Sequence, residues 1–105
     1  MFAQTPQPPY VAVIFTTTRE DADDGYALAA ERMEALVEGQ PGFLGMEAAR
    51  NLRGVGITVS YWADEASAQD WRVQAEHAAV RAVGRERWYR GWRLRVAVVH
   101  REESS

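Results

Sequence analysis

The pattern of apolar and polar positions predicts a strand and then a helix in the first half of the chain. Residues near 10–18, in "YVAVIFTTTR", are rich in β-branched side chains, which is typical of a well-buried strand. Apolar residues then recur at the spacing of one helical face and predict a helix over about 23–39: Tyr26, Ala29, Ala30, Met33, Leu36 and Val37. The acids of "EDADDG" suit its first turn, and Gly39 and Pro41 oppose its continuation.

The second half of the chain predicts two further strands, a helical region and a last strand. Residues 43–51 and 55–62 flank a short "LRG" link, which is a hairpin signal. We expect Asp64 to be the N-cap of a helical region over most of 64–87, with a break or bend near 74–76 or at Gly84. In the last strand, near 92–101, alternation places Leu94, Val96 and Val98 on one face and Arg93, Arg95, Ala97 and Val99 on the other.

The order strand, helix, strand, strand, helix, strand is the split βαβ pattern of a ferredoxin-like α+β fold with a four-stranded antiparallel sheet. Helices on one face of such a sheet leave its other face bare, and a second copy of the chain is the simplest cover for it. We therefore expect a homodimer built sheet to sheet. Residues 1–9 hold three prolines and predict a flexible arm, residues 10–101 form the domain, and residues 102–105 form a solvated tail.

Composition narrows the possible functions. The 105 residues suffice for one domain, and the net charge of −3 gives no general attraction to nucleic acid or to an anionic membrane. With no cysteine, disulfides, zinc–thiolate sites and thiol nucleophiles are excluded. The first residues do not form a signal peptide, and no apolar run approaches the roughly 18 residues that span a bilayer. We expect a cytoplasmic protein without metal or cofactor.

The stretch "WRVQAEH" (71–77) holds the best candidates for chemistry. Trp71 lies on an amphipathic helix beside Ala68 and Ala75, where a large side chain usually belongs to the core. His77 follows the predicted break, where it either caps backbone groups or lines a pocket mouth as a proton carrier. His100 lies on another strand, so no pair of His residues predicts a metal site.

Aromatic and basic side chains are concentrated in the same half of the chain. Trp62, Trp88, Tyr89 and Trp92 are either core and dimer contacts or the walls of an apolar pocket for a flat aromatic ligand. Arg81, Arg85, Arg87 and Arg90 form either a solvated helical face or, in one case, a partner for a phenolate or carboxylate. The candidate catalytic residue is thus His77, and the candidate substrate-binding residues are Trp62, Trp71, Arg81, Trp88 and Tyr89.

Five short motifs follow one another along the chain: "PGFLG" at the start of the second strand, "YW" at the end of the third, a helical "W", then "H", then "WY". On these motifs, residues 10–101 resemble the antibiotic biosynthesis monooxygenase-like family. Apart from the family, Gly42 permits a turn, and Gly45 inside a strand suggests a bulge or the close approach of another backbone.

The resemblance implies a dimeric α+β barrel with a pocket between sheet and helices in each protomer. It also implies a cofactor-independent monooxygenase acting on a small aromatic or quinol-type substrate. A small-molecule-binding dimer without catalysis, or with an unrelated activity, is the alternative, because a family fold hosts many functions. In haem-degrading relatives the iron-ligating His follows a Trp by ten residues, but Arg81 stands there after Trp71 and the first strand lacks their Asn. Haem degradation is therefore the less expected activity.

Overall fold

A computed structural model describes the backbone of residues 2–19, 26–81 and 89–105, and the side chains of these except 26–29, 76–81 and 89. The elements follow the predicted order: β1 (Tyr10–Arg19), α1 (Tyr26–Glu38), β2 (Phe43–Arg50), β3 (Val55–Trp62), α2 (Glu65–Arg81) and β4 (Tyr89–Val99). The fold is the expected ferredoxin-like α+β arrangement.

The four strands form one antiparallel sheet in the order β2-β3-β1-β4. Because side chains alternate along a strand, the register separates two faces. The helix face carries Val11, Val13, Phe15 and Thr17 of β1, aligned with Trp62, Ser60, Thr58 and Gly56 of β3. The open face carries Tyr10, Ala12, Ile14 and Thr16, aligned on β4 with Val99, Ala97, Arg95 and Arg93. The two predicted faces of the last strand are confirmed by this register.

The core lies between the helix face and the two helices. Its buried members are Val11, Val37, Trp62 and Ala68, and Val13, Phe43, Met46 and Trp71 pack against it half-buried. Val37 comes from the predicted apolar face of α1, whereas Leu36 of that face is 50% exposed. Each of the five elements from β1 to α2 therefore contributes at least one side chain to this cluster.

The structure differs from the prediction in the bounds of the last strand and in the continuity of the second helix. The last strand begins at Tyr89 and ends at Val99, because β1 provides partners from Arg19, opposite Tyr89, to Tyr10, opposite Val99. A break near 74–76 is absent, since α2 is continuous from Glu65 to Arg81, and a bend there stays a prediction. Gln74 and Ala75 are good helix formers, and no Gly or Pro lies within this helix. The alternative break at Gly84 and the acids of 20–24 lie outside the described residues.

Glycine has the predicted roles at the start of β2. Gly42 has a φ of 82°, and a side chain there would meet Ser67 at the start of α2. At Gly45 the pairing of β2 with β3 shifts register, as a bulge requires. The backbone of Ala3 also lies against Gly45, where an added Cβ would come within 2.8 Å of the Ala3 methyl group. Both expectations for Gly45, a bulge and a close approach, are confirmed.

The N-terminal arm and the C-terminal tail both touch the sheet region. The Ala3 amide donates a hydrogen bond to Glu47 of β2, and the Thr5 hydroxyl donates one to Glu102. Glu102, which we assigned to the solvated tail, therefore has partners in the arm, and the expected flexibility of the arm stays a prediction. Among the residues that the structure describes, no helix has the length and apolar character needed to cross a membrane.

Candidate functional site

Two of the predicted site residues, Trp62 and Trp71, meet between the sheet and α2. Trp62 ends β3 on the helix face and is completely buried, and its indole N–H donates to Ser60 Oγ at 2.9 Å. The Trp71 ring stacks on it with centroids 6.3 Å apart, and the Phe43 ring meets it edge-on at 5.4 Å. Buried indole groups usually find such a polar partner, so the Trp62 ring is held in one orientation.

A shallow crevice opens beside this aromatic cluster. Its floor consists of Val13 of β1, Leu94 and Val96 of β4, and Ala68 of α2. Positions 65, 68, 69 and 72 share one side of α2, so Glu65, Gln69 and Arg72 form the polar rim. The crevice holds about 30 Å³, which is room for one water molecule and far below the roughly 300–1,000 Å³ of a small-molecule pocket.

His77 lies in the continuous helix α2, four residues before its end at Arg81. The backbone of this helix has no break before His77. The His77 side chain itself lies outside the described residues.

The other three predicted site residues fall at the edge of the described region. Arg81 is the last residue of α2 and Tyr89 the first of β4, and neither side chain is described. Trp88 lies wholly outside the described residues. Their roles in binding a substrate stay predictions.

A cluster of tyrosines and carboxylates on the open face was not predicted from the sequence. The Tyr61 hydroxyl donates to Glu47 Oε1 at 2.7 Å, and the Tyr10 hydroxyl donates to Glu102 Oε2 at 2.7 Å. The two rings pack edge to face, with centroids 5.8 Å apart. Alternation along β3 placed Tyr61 on one face, but no local signal pairs Tyr10 with Glu102, which is 92 residues away.

These contacts shift the pKa values of the groups involved. Burial, together with the hydrogen bond to Glu47, raises the pKa of Tyr61 to about 12. The hydrogen bond from Tyr61 and then that from the Ala3 amide lower the pKa of Glu47. The hydrogen bonds from Tyr10 and then Thr5 lower the pKa of Glu102. Both carboxyl groups are therefore charged, and both phenols neutral, near neutral pH.

A second polar group missed by the sequence analysis fixes the β2–β3 hairpin. Arg50 donates from Nη2 to the buried Thr17 hydroxyl and from Nη1 to the Gly54 carbonyl, both at 2.6 Å. Gly56 leaves the space in which the guanidinium group lies against β3. Within the described residues, no three His, Asp or Glu side chains form a group able to hold a metal ion.

Comparison with known proteins decides the family. The family model described as antibiotic biosynthesis monooxygenase matches residues 9–83. The chain belongs to the antibiotic biosynthesis monooxygenase family. A curated relative, the uncharacterized protein YqjZ of Bacillus subtilis (strain 168), is 47% identical over 100 residues, which are 95% of this chain and 88% of that protein.

Solved structures of low sequence identity share the fold of this family member. SnoaB from Streptomyces nogalater, named as a cofactor-independent oxygenase, has a TM-score of 0.62 at 14% identity over 92% of this chain and 97% of its own. A protein of unknown function from Nitrosomonas europaea has a TM-score of 0.71 at 12% identity over 92% of this chain and 95% of its own. At these identities the similarity establishes the fold.

Proposed function

We propose that this family member is a cofactor-independent monooxygenase acting on a small aromatic or quinol-type substrate. The observation that carries the proposal is the match to the antibiotic biosynthesis monooxygenase family over residues 9–83. The fold similarity to SnoaB, which is named as a cofactor-independent oxygenase, supports it.

The crevice is the proposed binding site. Val13, Leu94 and Val96 offer an apolar floor to the face of an aromatic ring, and Arg72 places a cation at the rim for a phenolate. Because the crevice holds only about 30 Å³, substrate binding requires it to widen. Trp71 is half-buried on α2 next to the crevice, and we expect its ring to move when the crevice widens.

The proposed reaction requires few functional groups of the protein. An electron-rich substrate with an acidic CH₂ group loses a proton to a base, and the resulting carbanion gives an electron to O₂. The two radicals combine to a peroxide, which takes up a proton and loses water to leave a C=O group. CH₂ and O₂ thus become C=O and H₂O, and the substrate supplies all the electrons. The protein contributes a dry pocket, a cation for the anionic substrate and a proton acceptor.

His77 of α2 stays our proposed proton acceptor. We expect His77→Gln to lower oxygen uptake at least about tenfold, because general base catalysis contributes roughly two orders of magnitude or more. His100→Gln, an exposed histidine beyond β4, is the matched control and should leave the rate unchanged. Equal rates for the two variants would remove His77 from the mechanism.

A second candidate function is binding of a small molecule without catalysis. The small size of the crevice favours it, because about 30 Å³ does not provide a ready catalytic pocket. Native mass spectrometry followed by oxygen-uptake assays with anthrone-like, quinol and haem candidates separates the two functions. Oxygen uptake with anthrones or quinols supports the oxygenase. Binding without oxygen uptake supports the second candidate.

We also propose that two copies of the chain associate through their open faces. Val55 and Ile57 of β3 lie on this face and remain 39% and 45% exposed. A second sheet would remove this apolar surface from water at roughly 25 cal/mol per Å². β4 and the residues after Gly91 should contribute heavily to the contact.

A further inference from the structure

The N-terminal arm, residues 2–9, crosses one corner of the open face. Its Ala3 amide donates to Glu47 Oε2 at 3.0 Å, and the Ala3 methyl group fills the space that Gly45 leaves on β2. Two residues further on, the Thr5 hydroxyl donates to Glu102 Oε2 at 2.8 Å. The arm therefore touches the sheet near its β2 edge and the segment that follows β4.

Each of the two carboxylates holds the arm and a tyrosine of the sheet at the same time. Glu47 accepts from Ala3 and from Tyr61, and Glu102 accepts from Thr5 and from Tyr10. Hydrogen bonds to a charged acceptor are stronger than those between neutral groups. The arm is thus attached at two points, one on either side of the Tyr10–Tyr61 ring pair.

Burial on the open face follows the position of the arm. Tyr10 and Ala12, at the end that the arm crosses, are each 5% exposed. Val55 and Ile57, on the same face at the opposite end, are 39% and 45% exposed. On β1 the end of the open face beside the arm is therefore buried within the chain, although Ala97, opposite Ala12 on β4, stays exposed. At the other end Val55 and Ile57 keep their apolar side chains in contact with solvent.

We propose that residues 2–9 are a strap that seals the Tyr10–Tyr61 end of the open face, anchored by Glu47 and Glu102, so that a second copy of the chain seats on the Ile57 end. The seal is independent of the proposed activity. The seating of the second copy rests on the proposed sheet-to-sheet dimer. The strap thereby decides which part of the open face is left for association.

Hydrogen exchange at the Ala3 amide tests the seal. In the full chain at neutral pH, we expect this amide to exchange at least about tenfold more slowly than in an unstructured peptide of the same sequence. Glu47→Gln should abolish the protection. The glutamine side chain has one acceptor oxygen where the carboxylate has two, and the Tyr61 hydroxyl competes with the Ala3 amide for that oxygen. Glu38→Gln, an exposed acid at the end of α1, is the control and should leave the protection unchanged. An unprotected Ala3 amide in the native chain, or full protection in Glu47→Gln, overturns the strap.

Light scattering of the same variants tests the seating. We expect Ile57→Asp to dissociate the dimer, and Glu47→Gln to leave its mass unchanged although the strap is released. If Glu47→Gln dissociates the dimer as fully as Ile57→Asp does, the second copy seats on the strapped corner and the proposal is wrong. If the native chain is a monomer and its Ala3 amide is protected, the proposed dimer and the seating of the second copy are wrong, and the seal is supported. If the native chain is a dimer and its Ala3 amide is unprotected, the proposed strap is wrong and the proposed dimer is supported.

Discussion

At the scale of single residues, the two tryptophans of the core differ more in burial than their sequence contexts suggest. Trp62 is completely buried and bonded to Ser60, whereas Trp71 covers it from α2 and is itself only half-buried. The sequence indicated Trp71 as the large anchor of the helix–sheet interface. The structure gives that position to Trp62, because the end of β3 lies beneath α2 and Phe43 of the neighbouring strand β2 packs against the Trp62 ring.

We expect Trp62→Ala to lower the free energy of unfolding by roughly 3–5 kcal/mol, since it leaves a cavity in a closed core. Trp71→Ala should cost less, because part of its ring is already in contact with solvent. Trp92→Ala, at a residue that is 49% exposed, is the control with the same change in size. Urea unfolding of the three variants measures the order, and a greater loss for Trp71→Ala would contradict it.

Tyr61 should ionise at unusually high pH. Its pKa is raised from 10.0 to about 12 in the folded chain, so the folded state holds this proton more tightly than the unfolded state does. The resulting stabilisation is complete below pH 10 and is lost as the pH rises toward 12. We expect the ultraviolet tyrosinate titration to contain a component near pH 12 that Tyr61→Phe removes. Tyr26→Phe is the comparison, and an unchanged titration in Tyr61→Phe would contradict the assignment.

At the scale of elements, α2 begins where the sequence predicts, because its N-cap is a local feature. Asp64 Oδ1 accepts from the Ser67 amide at 2.7 Å, which satisfies one of the amide groups left free at a helix start. The hydrogen bonds from the Ser67 amide and then its hydroxyl lower the pKa of Asp64. The cap therefore stabilises α2 above the unfolded pKa of about 3.8, and this is lost as the pH falls through the lowered pKa.

We expect Asp64→Ala to lower the melting temperature by a few degrees at neutral pH, since it removes the cap. Asp70→Ala, an exposed acid within the same helix, is the matched control and should have a smaller effect. The difference between the variants should shrink as the pH falls below the unfolded pKa of Asp64. A difference that persists in strong acid would assign the effect to something other than the carboxylate.

At the scale of the whole molecule, the two faces of the sheet are covered in different ways. The helix face of β1, β2 and β3 packs against α1 and α2, whereas Val96 and Val98 of β4 on that face are 47% and 63% exposed. Among the described residues, the arm covers one end of the open face. A single domain of this size buries a modest share of its surface, so a second copy would add to its core. The exposed Val55 and Ile57 mark a part of the open face where a second copy would cover apolar side chains.

The predicted dimer has a direct test. We expect a particle of twice 11.8 kDa in light scattering at micromolar concentration, and a monomer for Ile57→Asp, which buries a charge in the contact. Leu52→Asp, at a hairpin tip that is 100% exposed and away from the sheet face, is the control and should remain a dimer. A well-folded native monomer would contradict the sheet-to-sheet arrangement, and so would an equal effect of the two variants on the mass of the particle.

The sequence alone determined the elements, their order and the faces of the strands. Alternation in β4 separated Leu94, Val96 and Val98 from the arginines, and Gly42, Gly45 and Asp64 marked the turn, the bulge and the cap that the structure contains. These features depend on residues close together in the chain, so their chemistry is readable from spacing. The break predicted at 74–76 failed because no local residue required it, and α2 continues through this stretch.

Only the tertiary structure decided which distant groups meet. The pairings of Tyr10 with Glu102, Ala3 with Glu47, and Thr17 with Arg50 join segments 33 to 92 residues apart. No spacing in the sequence specifies them, because strand register and the path of the arm set the distances. Local patterns thus determined the elements, whereas long-range register determined the clusters they form.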